Sequence, residues 1–222
     1  MKTKSESPAR VLEYSAARGP MPTTTLTYFD FPASRGEECR LALHISGVPF
    51  VDERLKGPEF ASRKASFPFG ALPVLSVEGQ APLGQSNTIL RLIGREHGLH
   101  PTDLWAAARH DAIMDSVEDM RNKMGPIARI KDEAEKKRAW EEAAAGYLQE
   151  WAGFIERQLG AGPFIAGDSV QVADLKIFVA LGPFLKGKID HVPADVFKAF
   201  PKLLAVYEAV KSHPKVVQWY DK

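Results

Sequence analysis

Tyr28 closes a short aromatic run, Leu26-Thr27-Tyr28-Phe29, and can do one useful piece of acid–base chemistry. A free phenol ionises near ~10 and a free thiol near ~8.5, so neither does so readily at neutral pH. A phenol that donates its hydrogen bond to a bound thiol favours the thiolate. A thiol shift of about two pKa units corresponds to roughly 2.7 kcal/mol. Composition alone fits another tyrosine better, a core residue with its hydroxyl on a carbonyl. Gln85-Ser86 stands ahead of a helix marked by Ile89, Leu90 and Ile93 at helical spacing. Free N–H groups there form an anion site, where a serine hydroxyl either binds a carboxylate or simply caps the helix. Arg35 lies at the head of the first helix, where a cation is unfavourable to the dipole unless something else holds it. Asp111, Asp115 and Glu118 share one face of a long helix with Asp119 beside them, which by spacing alone is a solvated acidic face.

The elements that must position these residues are legible in outline. Leu26–Phe31 reads as a strand by its aromatic alternation, broken at Pro32-Ala33-Ser34. Ser34 with Glu37 three residues on has the form of a capping box. The helix that follows runs through Cys39, Leu41, Ala42 and Ile45 to a stop at Gly47. Phe50–Glu53 is a second strand, and residues 57–66 are a polar piece holding Phe60 and Lys64. Leu72-Pro73-Val74-Leu75 is a third strand opening on proline, where a missing N–H does least harm. Glu78-Gly79 turns it toward a short run at Ala81-Pro82-Leu83. Beyond a Gly98–Pro101 linker the pattern is helical. Ile113, Val117, Met120 and Met124 form one apolar stripe, and further helices fall around Tyr147–Ile155, Leu175–Phe184 and Leu203–Val210.

Composition narrows the function. The chain has 222 residues, 45% hydrophobic and 26% charged, enough for one large or two modest domains. A net charge of +1 provides no field for nucleic acid or a membrane surface. No run approaches the ~20 apolar residues that span a bilayer. The single cysteine, Cys39, excludes an intrachain disulfide framework and a cysteine-rich zinc site, and fits a reducing compartment. The six histidines show no metal spacing. Residues 1–24, with Pro8, Gly19, Pro20 and Pro22, read as a poorly ordered lead-in. Glu6 and Glu13 argue against a transit peptide.

A Tyr-bearing strand, a Pro-Phe-Gly turn before a Leu-Pro strand, and a Gln-Ser pair at a helix start occur together here. With Phe164-Ile165-Ala166-Gly167-Asp168 leading to Val172-Ala173-Asp174, the set resembles the cytosolic glutathione transferases, most closely the tyrosine-type sigma class. The resemblance spans residues 25–222. It implies a thioredoxin-like α/β domain over residues 25–98 and an all-helical domain over 102–222. It also implies glutathione as co-substrate with no metal, a cytoplasmic homodimer, and no nucleic-acid or membrane partner. The implied activity is conjugation of the glutathione thiolate to hydrophobic electrophiles. Isomerisation of the prostaglandin D synthase type, peroxide reduction on the same site, and a non-catalytic binding or structural role are the alternatives.

The same resemblance assigns residues. Tyr28 and Arg35 would activate the thiol, although one extra residue in Pro32-Ala33-Ser34-Arg35-Gly36 shifts the arginine against the family pattern. Gln85 and Ser86 would hold the γ-glutamyl end, and Leu72, before a cis Pro73, the cysteinyl backbone. Lys64 and Phe60 would meet the glycyl end, where phenylalanine replaces a common tryptophan and Ala71 a common lysine. Asp119 would reach across a dimer interface, with Asp115 and Glu118 at the cleft mouth. Phe29, Phe31 and Met124 would line the electrophile site. A glutamine at 171, three residues before Asp174, is a poor helix cap.

Overall fold

The computed structural model describes residues 22–221. The first part is a four-stranded sheet with helices against it. Strand β1 (Thr24–Phe29) leads into helix α1 (Ser34–Ser46), then strand β2 (Val51–Leu55), helix α2 (Gly57–Arg63) and a 3₁₀ turn at Lys64–Ser66. Strands β3 (Val74–Val77) and β4 (Leu83–Gly84) and helix α3 (Ser86–His97) complete it. The spatial order is β2-β1-β3-β4, with β1 parallel to β2 and the other pairs antiparallel. The parallel pair needs the α1 crossover, and the antiparallel pair turns at Gly79, which has a φ of 80°. Leu26 and Tyr28, two residues apart on β1, face one side and are buried at 0% and 4% exposure. This is the thioredoxin-like arrangement expected from the sequence.

The remainder is helical: α4 (Leu104–Ala128), α5 (Glu133–Ala145), α6 (Tyr147–Gln158), α7 (Val172–Leu185), α8 (Pro201–Ser212) and α9 (Pro214–Tyr220). Asp103 caps α4 by accepting from the Ala106 N–H at 2.8 Å, and Asp132 caps α5 in the same way through Glu135 at 2.7 Å. Helix α7, buried along most of its length, is the centre of this bundle. The apolar core is continuous across both parts, joining Leu26 and Ile89 to Met114, Leu148 and Leu175. The clasp between α9 and α1 tightens that union. Trp219 Nε1 donates to Glu37 Oε1 at 2.8 Å, and Lys215 Nζ donates to the Ile45 carbonyl at 2.5 Å. Among the described residues no helix is long and apolar enough to cross a membrane.

Several boundaries differ from the sequence reading. The first strand begins at Thr24, and Thr23 already pairs its backbone with Glu78, so the ordered sheet starts inside the expected lead-in. Residues 1–21 lie outside the described part. The strand ends at Phe29 because the chain folds back there, Phe31 donating its N–H to the Phe29 carbonyl. Ser34 is not a cap. The N-cap position falls on Ala33, and Ser34 takes a left-handed φ of 63° as the helix starts. Glu37, expected as its capping partner, turns inward to Arg40 and Trp219.

At the start of α7 the capping question resolves in part. Asp174 Oδ2 accepts from the Gln171 N–H at 2.8 Å and Oδ1 from the Ile165 N–H at 2.8 Å, whereas Gln171 Oε1 is buried without a partner. Gln171→Ser is therefore expected to stabilise the protein by about 0.5–2 kcal/mol. The thermal midpoint should rise by a few degrees, and an unchanged or lower midpoint would refute the placement of this cap.

Candidate functional site

A cavity of about 340 Å³ opens between α3, the start of β3 and the facing side of α4. Leu72, Pro73, Gln85 and Ser86 are on its wall, so the sheet and the start of α3 bring together all four residues expected around the tripeptide backbone and γ-glutamyl end. The Leu72–Pro73 peptide is cis, and Gln85 has a positive φ of 72°. A non-glycine residue held there marks a backbone constrained by its surroundings. Ser86 is the first residue of α3 and is 5% exposed. No side chain caps this helix, and its first three residues, Ser86, Asn87 and Thr88, line the cavity, so its free N–H groups offer an anion site there.

The opposite wall is ionic. Arg35 donates from Nε to Glu118 Oε2 at 2.7 Å, and both residues line the cavity. Arg91 joins Asp111 at 2.8 Å and Asp115 at 3.3 Å, and Asn87 donates to Asp115 at 2.6 Å. His100, on the linker, meets the same Asp111 oxygen at 3.0 Å. Behind Arg35 lies a buried cluster. Lys176 contacts Glu38 at 2.9 Å and Glu118 at 2.6 Å, while Arg121 contacts Glu38 at 2.5 Å and Glu118 at 3.1 Å. Burial alone would raise the Glu118 carboxyl, but Lys176, Arg121 and Arg35 hold it down at about 2. A folded value below the ordinary 4.5 means that these contacts stabilise fully above that pH and lose their effect as pH falls toward 2. Urea midpoints of the wild type should drop over that window, and Glu118→Gln should start lower and drop less. Parallel pH profiles would count against the pairing.

Tyr28 sits beside the cluster, not on the cavity wall. Its ring packs edge-on to Phe29 and Phe31, lies under the Arg40 guanidinium at 5.7 Å, and rests directly on Gly36. Burial raises the phenol above its ordinary value, against the Ser34 hydroxyl and the positive charges of Arg35 and Arg121, which lower it. A Cβ at position 36 would stand 2.0 Å from Tyr28 Cδ1. Gly36→Ala is thus expected to force the ring off α1 and to destabilise the fold by about 1–3 kcal/mol, as overpacking does. A urea melt with an unchanged midpoint would show that the ring moves freely.

The other sequence candidates are placed apart from the cavity. Phe60 is a packing residue in a small cluster with Leu55, Phe67 and Val74, and its ring meets Phe29 at 5.1 Å. Phe29 is half-buried in that aromatic group, and Phe31 is 40% exposed at its edge. Lys64 is exposed, its stem running over Gly70 between the cavity-lining Phe69 and Ala71. Asp119 is exposed on α4, near Tyr147, whose phenol is raised first by burial and then by the Asp119 and Glu150 charges. Met124 is buried in the helical core at 6% exposure. Cys39 is buried, donates to the Arg35 carbonyl at 3.4 Å, and is kept as a neutral thiol by burial.

Asn87, Arg91, Glu38, Arg121 and Lys176 were not anticipated. Two signals in the sequence point to three of them. Asn87 and Arg91 lie four apart on the helix whose first residue is Ser86, and Lys176 is the lone charge in the apolar run Leu175–Leu181. Among the described residues no group of three or more histidine, cysteine, aspartate or glutamate side chains is arranged to hold a metal.

Comparison with known proteins adds a family context. A family model described as "Glutathione S-transferase, C-terminal domain" matches residues 118–222. Glutathione S-transferase 1 of Ascaris suum is 31% identical over 204 residues, covering 90% of this chain and 96% of its own. S-crystallin 4 of Enteroctopus dofleini is 28% identical over 216 residues, covering 91% and 97%. The crystal structure of the glutathione S-transferase from Ascaris lumbricoides superposes with a TM-score of 0.80 at 31% identity, covering 90% of this chain and 97% of that one.

Proposed function

The chain belongs to the glutathione S-transferase family, and from that premise we propose that it binds glutathione in the cavity beside Pro73 and Ser86 and transfers its thiolate to an electrophile. The observation that carries this is the convergence of Leu72, Pro73, Gln85 and Ser86 on one open cavity with Arg35 across it. In this reading the γ-glutamyl carboxylate takes the uncapped N–H groups of α3, and its ammonium group takes Asp115. Leu72 pairs with the cysteinyl backbone, and Lys64 meets the glycyl carboxylate over Gly70. Asp119 has no role within one subunit and keeps its proposed role only across a dimer. The homodimer is part of the proposal, and Phe69, 67% exposed at the cavity wall, is an apolar side chain for a partner to cover.

The thiolate step follows from the charges. Tyr28 donates its hydroxyl proton toward the sulfur, and Arg35 supplies a nearby positive charge, so the thiol ionises more readily. Holding sulfur and acceptor together adds effective molarity. A calorimetric titration with glutathione tests the seat, and conjugation to 1-chloro-2,4-dinitrobenzene tests the chemistry. Binding and turnover are expected, and no binding at millimolar glutathione would overturn the reading.

One observation favours a second reading, a glutathione-binding protein without turnover. The Tyr28 ring is 4% exposed and does not line the cavity. Binding without conjugation above the uncatalysed rate would establish it.

A further inference from the structure

We propose that the acceptor this site handles best carries a carboxylate, in the manner of an α,β-unsaturated keto acid, and that Arg35, Arg121 and Lys176 select it. The inference rests on the glutathione-transfer reading and names its second substrate class.

The cluster beside Tyr28 holds three cations, Arg35, Arg121 and Lys176, against two carboxylates, Glu38 and Glu118. Lys176 and Glu38 are fully buried, and Glu118 is kept ionised by its three neighbours. The surplus is therefore one positive charge, shared between the buried Lys176, the largely buried Arg121 and the partly exposed Arg35, and its buried share is expensive unless an anion completes it. Arg35 is the most exposed member, at 35%, and it opens onto the cavity. Arg121 has a buried guanidinium nitrogen without an acceptor. At the other end of the cavity Arg91 is outnumbered by Asp111 and Asp115, which suits an ammonium group. The cavity is thus acidic toward Asp115, and at its other end the Arg35–Glu118 pair is backed from behind the wall by Arg121 and Lys176.

Two of the side chains that would receive an apolar acceptor are elsewhere, Phe29 against Phe60 and Met124 in the helical core, which leaves Phe31 beside Tyr28 and Phe69 at the cavity wall. In the reaction itself, the thiolate attacks the carbon β to the ketone and forms the C–S bond. The π electrons move to the ketone oxygen as an enolate, which takes a proton from water at the α carbon, matching the proton lost from the thiol. The sulfur is then neutral, and the positive surplus is left facing the carboxylate of the adduct.

The acceptors to compare are 3-benzoylacrylate and its methyl ester, each rate divided by that of free glutathione with the same acceptor. The acid is expected to show about tenfold greater enhancement, the effect of a charge-assisted hydrogen bond. The binding arm needs no turnover: S-(2-carboxyethyl)glutathione should bind about tenfold tighter than its near-isosteric S-(3-methylbutyl) analogue by calorimetry. Lys176→Met removes the surplus charge and should bring both ratios toward one, with Arg121→Gln as the second variant if the first does not fold. Equal or greater preference for the ester and the alkyl conjugate would overturn the inference and leave the transfer reading standing. Tighter binding of the carboxyethyl conjugate without turnover of either acceptor would support the anion preference and overturn the transfer reading. Failure of every glutathione derivative to bind would overturn both.

Discussion

Tyr28→Phe is expected to lower kcat/KM for glutathione conjugation by about ten- to a hundredfold while leaving glutathione binding within a few-fold. The size follows from one charge-assisted hydrogen bond, worth about 1.5–3 kcal/mol, at roughly tenfold in rate per 1.36 kcal/mol. The direction follows from the phenol, which burial keeps protonated as a donor and which stands near Ser34, Arg35 and Arg121, groups that favour an anion nearby against the charge of Glu38. The substitution removes only an oxygen, so the ring keeps its packing on Gly36 and between Phe29 and Phe31. The pH profile should respond as well, with the rise in activity displaced to higher pH because the bound thiol ionises later. Equal rates for the two proteins would remove Tyr28 from the mechanism and leave Arg35 and the end of α3 as the only thiolate-stabilising groups.

Glu38→Ala should be the most damaging single change outside the cavity. Glu38 is fully buried between Lys176 and Arg121. Its loss leaves three cations facing Glu118 alone. Removing one partner of a buried ion pair costs about 3–5 kcal/mol, which for a chain of this size is a fall of about 6–20 °C in the thermal midpoint. Replacing both Glu38 and Lys176 by methionine should recover much of that loss, since a well-packed apolar pair substitutes for a buried ionic one. A double variant no better than Glu38→Ala would show that shape, not charge, decides the site.

What could be read in advance followed from local chemistry. The Leu-Pro strand, the turn at Glu78-Gly79 and the polar pair before α3 are each set by a few adjacent residues, and the cavity forms where they meet. The misreadings were of two kinds. Ser34 has the composition of a cap, but the turn through Pro32-Ala33 needs a left-handed residue there, and backbone geometry outweighed the side-chain preference. The ionic cluster joins Glu38 to Lys176 across 138 residues, and no local pattern registers such a pair. Phe60 and Met124 look like ligand contacts only while the core that claims them is unseen.

The clasp of α9 on α1 bears on how the molecule can be divided. Glu37, Glu38 and Arg40 are wholly buried on the first domain's own helix, yet Glu37 is hydrogen-bonded by Trp219 and Glu38 by Lys176, both from the second. Excised at the linker, residues 25–98 would present Glu38 with both counterparts gone, Glu37 with Arg40 alone, and an apolar flank to water. The thioredoxin-like half is therefore not an autonomous module, and the chain should melt as a single cooperative unit, gaining and losing the proposed glutathione seat together with its last helix.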